Sequence, residues 1–166
     1  MELYLLRHAI AVEPGTAGYD DDSRRPLTPE GRRKMRRAAK GMKALGLEFD
    51  SIISSPYIRG KATAEIVGGI LKARCKLSLS DDLAADGDAK ALVKRLAGHD
   101  SHERVLLVGH EPYLSKLVAR LIAGTASVSL KFKKGGLCKL TVDHLRFGHC
   151  AELEWLLTPR QLEQLA

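Results

Sequence analysis

The sequence predicts a three-layer α/β domain, helix on sheet on helix, with a mostly parallel central sheet and an antiparallel portion added at the C-terminus. Three observations lead there. Apolar runs of strand length alternate with helical patterns up to residue 124, as in parallel sheets joined by helical crossovers. The helical patterns are bounded by capping residues and glycines. Beyond residue 124 the pattern changes to alternating or short apolar runs separated by turns, which suits an antiparallel meander. The 166 residues suffice for one domain with a sizeable core, and no repeat or linker divides them. Residues 1–166 are therefore expected to form a single unit.

The first strand is predicted at "ELYLL" (2–6). A helix follows at "LTPEG", with Thr28 as N-cap, Pro29 at the first helical position and Gly46 as its stop. Met35, Ala38, Ala39, Met42 and Leu45 follow helical spacing as its apolar face, which leaves Arg32, Arg33, Arg36, Arg37, Lys40 and Lys43 mostly on the other side. "DSIISS" (50–55) reads as the second strand, and Ile58, Ala62, Ile66 and Ile70 mark one face of the next helix. Gly68 and Gly69 weaken its last turns. "CKLSLS" (75–80) is a short third strand, and Asp88 caps a helix that carries Leu92, Val93 and Leu96 and ends at Gly98. "RVLLVGH" (104–110) is the clearest buried strand. Pro112 opens a helix with Leu114, Leu117, Val118, Leu121 and Ile122 inward, closed by Gly124. "VSLKF", "GLCKLTV" and "CAELEWLL" form the late antiparallel portion, with "KKGG" and "HLRFGH" as turns.

Composition narrows the function. Apolar residues make up 45%, charged 28% and aromatic 5%, the profile of a soluble globular protein. No run of about 18 apolar residues is present to span a bilayer, and the N-terminus lacks the pattern of a signal peptide, so a cytoplasmic protein without membrane contact is expected. Cys75, Cys138 and Cys150 are odd in number and widely spaced, which supports neither a disulfide framework nor a zinc ribbon. The net charge of +7 favours anionic partners. The basic face at 32–43 reads first as a solvated helix face and second as a docking surface. Without interleaved aromatic residues it gives no support to nucleic-acid stacking, and no nucleic-acid partner is expected.

In an open α/β sheet ligands bind at the carboxyl ends of the parallel strands. Three predicted strands end in suitable polar groups: Arg7 and His8 after the first, "SSPYIR" with Arg59 after the second, and His110 after "RVLLVG". Guanidinium groups present forked donors to phosphate oxygens, and histidine serves as nucleophile, base or acid. Phosphoryl transfer needs neutralised equatorial oxygens and an in-line nucleophile. A neutral imidazole aimed at phosphorus meets the second need. His8 and His110 lack further ligands at recognisable spacing for a metal, so neither a metal nor a cofactor is expected.

With "LLRHA" at the N-terminus, "SSPYIRGKATAE" in the middle and "LLVGHEP" late, the chain resembles the histidine phosphatase, or phosphoglycerate-mutase-like, superfamily along its whole length. "RRPLTPEGRRKM", "DLAADGD" and "LEWLLTPRQL" most resemble the SixA-type phosphohistidine phosphatases. The resemblance implies a phosphoglycerate-mutase-like fold, with His8 as a transiently phosphorylated nucleophile and Arg7, Arg59 and His110 as the phosphoryl clamp.

Two departures stand out. Ala9 follows the first histidine where the superfamily often has glycine. Where many members carry a glutamate proton donor after the third strand, this chain offers Asp81, Asp82, Asp86 and Asp88, with Asp82 the best positional match. A phosphate ester must expel a basic alkoxide and gains from a positioned acid. Phosphohistidine expels an imidazole, a far better leaving group once protonated. The expected partner is thus a phosphorylated protein, such as a histidine phosphotransfer domain. The alternatives are a small phosphorylated metabolite, hydrolysed with Asp82 as acid, and a module that binds phosphoproteins without turnover. His99, His102, His144 and His149 fall in apparent loops without an assigned role.

Overall fold

The computed structural model describes residues 1–98 and 103–166; His99 and His102 lie outside them. The described elements run β1 (Glu2–Arg7), α1 (Pro29–Ala44), β2 (Ser51–Ser54), α2 (Ile58–Leu71), β3 (Leu77–Leu79), α3 (Ala89–Ala97), β4 (Arg104–Gly109), α4 (Tyr113–Ala123), β5 (Leu137–Val142), β6 (Ala151–Leu157) and α5 (Pro159–Gln164). The six strands form one sheet in the order β3-β2-β4-β1-β5-β6. The first four strands of that order are parallel, and β5 and β6 are antiparallel, as the change of pattern after residue 124 predicts.

Alternation along the central strands makes the three layers. Leu3 and Leu5 of β1, with Val105 and Leu107 of β4, pack under α3 and α4 with Leu92, Leu96, Leu114, Leu117 and Leu121. Tyr4, Leu6, Leu106 and Val108 face the other way, onto Met35, Ala38, Ala39 and Met42 of α1, Val67 of α2 and Leu162 of α5. Both sheet faces are covered, which explains the near-continuous apolar runs of β1 and β4.

Capping follows the sequence closely. Thr28 accepts from the Gly31 amide, Asp88 accepts from the amides of Lys90 and Ala91, and Gly46 and Gly124 close their helices in the left-handed conformation. The structure differs from the sequence reading in four places. The segment "VSLKF" forms no strand; it runs as irregular chain that buries Phe132. A short C-terminal helix, α5, closes the α1 layer; its capping box of Thr158 and Gln161 and its Pro159 carried the signal. Leu45, grouped with the apolar face of α1, caps the helix and is 42% exposed. The α2 face departs from the predicted stripe at its start: Ala62 is buried and Ile66 and Ile70 pack partly buried against the core, but Ile58 is 44% exposed, and the buried face also takes in Arg59, Gly60, Thr63, Ala64 and Val67. Helix α2 runs through both Gly68 and Gly69 before ending at Lys72.

Close packing of α1 on α5 rests on Gly41. A Cβ there would lie 1.8 Å from the Leu162 carbonyl oxygen, a backbone atom that cannot swing aside. Gly41→Ala gains about 1 kcal/mol of helix propensity, but the steric conflict outweighs it. A net destabilisation of about 1–3 kcal/mol is expected, read as a lower denaturation midpoint at unchanged slope. A midpoint that stays level or rises would show that α5 gives way freely.

Candidate active site

Register brings the three strand ends level. Arg7 pairs with Gly109 and Ser54 with Val108, so the residues just beyond, His8, Ser55 and His110, leave the sheet side by side. The His8 amide donates to the Gly109 carbonyl at 3.0 Å, and the Ser55 amide to the Val108 carbonyl at 2.9 Å. His8 and His110 are 6% and 2% exposed, and their rings lie 5.1 Å apart.

The ring of His8 has its two nitrogens in different surroundings. Nδ1 lies 2.7 Å from the Ala9 carbonyl oxygen, which can only accept, so Nδ1 carries the proton and donates. Nε2 is left with its lone pair, and Arg59 Nε–H donates to it at 3.3 Å. Burial pushes the His8 pKa down to about 3, with the charges of His110, Arg59 and Arg7 adding to the shift and the Ala9 hydrogen bond opposing it. His8 is thus a neutral base with its lone pair among cations. Ala9 fits its position without left-handed backbone, and its amide donates to Thr63 Oγ1 at 3.1 Å.

Arg59, 3% exposed, projects from the first turn of α2. Thr63, one turn later on the same face, donates to the Arg59 carbonyl at 2.7 Å and so ties that turn to Ala9. The guanidinium donates through Nη1 to the Asp22 carbonyl and through Nη2 to Asp22 Oδ2 at 2.7 Å. Asp22 also binds Arg25, whose Nε donates to Oδ1 at 2.8 Å and whose Nη1 donates to the Val12 carbonyl. The stretch 11–26 is therefore pinned to the site through Asp22 and to the fold through the Ala11–Leu27 bridge. Arg7 donates through Nη1 to the Phe132 carbonyl at 2.7 Å, while its buried Nε has no partner among the described residues. Burial lowers the pKa of both arginines, which nonetheless stay charged.

His110 shares a 2.7 Å hydrogen bond between Nε2 and Ser55 Oγ, and its buried Nδ1 has no partner among the described residues. Burial, and next the Arg59 charge, push its pKa down to about 3, with Asp22 opposing. The Tyr57 ring lies 4.8 Å from the His110 ring and 5.0 Å from the Arg59 guanidinium carbon, walling one side.

Arg7, His8, Arg59 and His110, predicted from three separate strand ends, thus meet at one edge of the sheet. Asp82 sits on the turn after β3, and its carboxylate is paired with Arg95 at 2.9 Å; no hydrogen bond among the described residues joins it to His8, Arg59 or His110. Arg95 also donates to Ser80. Asp88 is occupied as the cap of α3. His144 and His149 are exposed. Among the described residues no group of three or more histidine, cysteine or acidic side chains is arranged to hold a metal ion, and no helix is long and apolar enough to cross a membrane. Sequence reasoning missed Asp22, Arg25, Ser55 and Thr63. The faint signals were Ser55 at the end of the second strand and Thr63 four residues after Arg59.

Comparison with known proteins bears on this edge of the sheet. Residues 3–84 match the model of the histidine phosphatase superfamily, branch 1, and an uncharacterized protein of Picosynechococcus sp. is 32% identical over 142 residues, 84% of either chain. The chain belongs to the histidine phosphatase superfamily. This histidine phosphatase is also 27% identical over 165 residues to the phosphohistidine phosphatase SixA of Escherichia coli, covering 98% of this chain and 97% of that one. It superposes on the structure of the protein histidine phosphatase SixA complexed with tungstate with a TM-score of 0.84 at 26% identity, over 98% of this chain and 99% of that one. Within the superfamily it is of the SixA type, and it is a phosphatase. The alpha-ribazole phosphatase of Shigella flexneri shares the fold, with a TM-score of 0.77 at 17% identity over 96% of this chain and 97% of that one.

Proposed function

We propose that this histidine phosphatase dephosphorylates phosphohistidine carried on a protein, without a metal ion, through a phosphorylated His8. One observation carries the reading. A buried neutral imidazole offers its Nε2 lone pair beside two cationic guanidiniums, and two buried nitrogens there, the Arg7 Nε–H and His110 Nδ1, lack partners among the described residues. Buried donors without partners are costly unless a ligand satisfies them. A phosphoryl group, with three equatorial oxygens to be neutralised, is the ligand they suit.

In the first step the Arg59 Nε–H turns from His8 Nε2 to a phosphoryl oxygen, and the freed Nε2 lone pair attacks phosphorus in line. The bond from phosphorus to the substrate imidazole breaks, and the leaving nitrogen takes a proton from solvent. Arg7, Arg59 and His110 hold the equatorial oxygens as charge spreads over them. In the second step water attacks the phosphorus of phospho-His8 and gives a proton to solvent; the N–P bond breaks, its electron pair returns to Nε2 and phosphate leaves.

The choice of phosphohistidine over an ester rests on the proton. An alkoxide leaving group gains on the order of a hundredfold or more from a positioned acid. Here Asp82 is engaged with Arg95, and Asp22 with Arg59 and Arg25. The likeness to SixA points to the same substrate class.

The test is single-turnover reaction with a phosphohistidine-bearing phosphotransfer protein in chelator, following phosphate release and enzyme label in wild type and His8→Ala. Release that depends on His8, with transient acid-labile label on the enzyme, is expected. Full release by His8→Ala would overturn the mechanism. Failure of several phosphohistidine donors, with turnover of a phosphate ester that Asp82→Asn impairs, would move the substrate to a small metabolite. Stable binding without release would make the protein a phosphoprotein-binding module.

A further inference from the structure

We propose that Ser55 is a positioning residue that sets the tautomer of His110: its hydroxyl donates to Nε2, so that the single ring proton sits on Nδ1 and is presented to the phosphoryl oxygens. The proposal deepens the phosphoryl-transfer reading, on which it rests for its functional part. Its structural part stands on hydrogen-bond accounting alone.

Ser55 Oγ has two partners among the described residues. The Tyr57 amide donates to it at 3.2 Å, and His110 Nε2 lies 2.7 Å away. A backbone N–H can only donate, so the hydroxyl proton must find its acceptor elsewhere. Ser55 is fully buried, out of reach of bulk water, and Nε2 is the one acceptor facing its hydroxyl among the described residues. Were the ring proton on Nε2 instead, Ser55 Oγ would accept twice and its own proton would be stranded. A stranded buried donor keeps its full desolvation penalty, enough to decide between two neutral tautomers. That arrangement would also leave a bare Nδ1 lone pair beside an anion.

The groups around His110 agree with a neutral ring. Arg59, Arg7 and Arg25 disfavour a further proton, Asp22 alone favours one, and His8 and Tyr57 flank the ring as neutral aromatic neighbours. A neutral imidazole N–H donates a hydrogen bond but gives up its proton only to a strong base. His110 therefore stabilises charge on the phosphoryl oxygens and does not protonate the leaving group.

Two measurements test this. The nitrogen-15 shifts of the His110 ring in the wild-type protein report which nitrogen carries the proton, independently of any turnover. Protonated Nδ1 is expected, with a change toward protonated Nε2 in Ser55→Ala; a wild-type ring protonated on Nε2 overturns the proposal. The second is a double-mutant cycle on single-turnover kcat. In His110→Asn the side-chain amide nitrogen takes the place of Nδ1 and has no tautomer to be set. Ser55→Ala is expected to lower the rate about tenfold beside His110 and less than about twofold beside Asn. A role of Ser55 confined to supporting the Tyr57 turn gives the same loss in both backgrounds, and that result also overturns the proposal. If no phosphohistidine donor is turned over, the phosphatase substrate reading fails while the ring shifts still decide the tautomer.

Discussion

Arg59→Ala is expected to lower kcat/KM by about a thousandfold or more, about 4 kcal/mol of transition-state stabilisation. The size follows from what the guanidinium does at once. Its Nε–H donates to His8 Nε2, its Nη groups engage Asp22, and its charge is buried, Arg59 being 3% exposed. Removing it takes a cation away and also leaves the Asp22 carboxylate facing the phosphoryl site without its main buried partner. Like charges then oppose substrate entry. This predicts that Asp22→Asn, added to Arg59→Ala, recovers about tenfold of the loss, because the repulsion goes even though the clamp stays lost. Arg59→Lys is expected to recover little, since one ammonium cannot reproduce a fork that meets His8 and Asp22 together. Measured on a verified substrate, a loss under tenfold for Arg59→Ala would remove Arg59 from the phosphoryl clamp. Absence of any recovery with Asp22→Asn would show that the Asp22 charge does not reach the site.

The parts of this site that strand ends create were legible in the sequence, and the parts that pinned loops create were not. Arg7, His8 and His110 follow apolar runs whose burial fixes both the strands and their level register, so their convergence follows from the alternation of β1 and β4. Arg59 was legible for a related reason, being one short turn past β2. Asp22 reads as the last of three aspartates in a polar loop, and nothing local shows that it reaches across to α2. Only the first turn of helix α2 escapes the hydrophobic pattern, for the same functional cause: Ala62, Ile66 and Ile70 face the core as predicted, but the buried face also carries Arg59 and Thr63, while Ile58 is turned outward. Polar residues held inside by a site break the rule that apolar positions mark the inner face. "VSLKF" alternates like a strand, yet no described strand pairs with it, and its Phe132 carbonyl is used to hold Arg7.

Acidification from pH 7 to pH 5 is expected to destabilise the fold by about 2 kcal/mol for each of His8 and His110. Both are pushed down to about 3 in the folded protein, chiefly by burial, against an ordinary value near 6.5. Between those limits the unfolded chain binds protons that the folded chain refuses, so stability rises with pH across the window. It is fully present above about 6.5 and is lost progressively as the pH falls toward 3. Asp22 and Asp50, whose pKa values are lowered in the fold, titrate below this range and leave the interval from pH 7 to 5 to the histidines. Denaturation midpoints at pH 7, 6 and 5 test the claim, and His110→Asn is expected to remove about half of the pH dependence. A flat profile in wild type would mean that the rings take up protons in place and that the site is wetter than its burial indicates. The two faces of this effect have one cause. The burial that keeps the His8 lone pair available at pH 5 is the same burial that makes the fold weaker there, so the acid limit on activity is expected to be set by unfolding before it is set by protonation of the nucleophile.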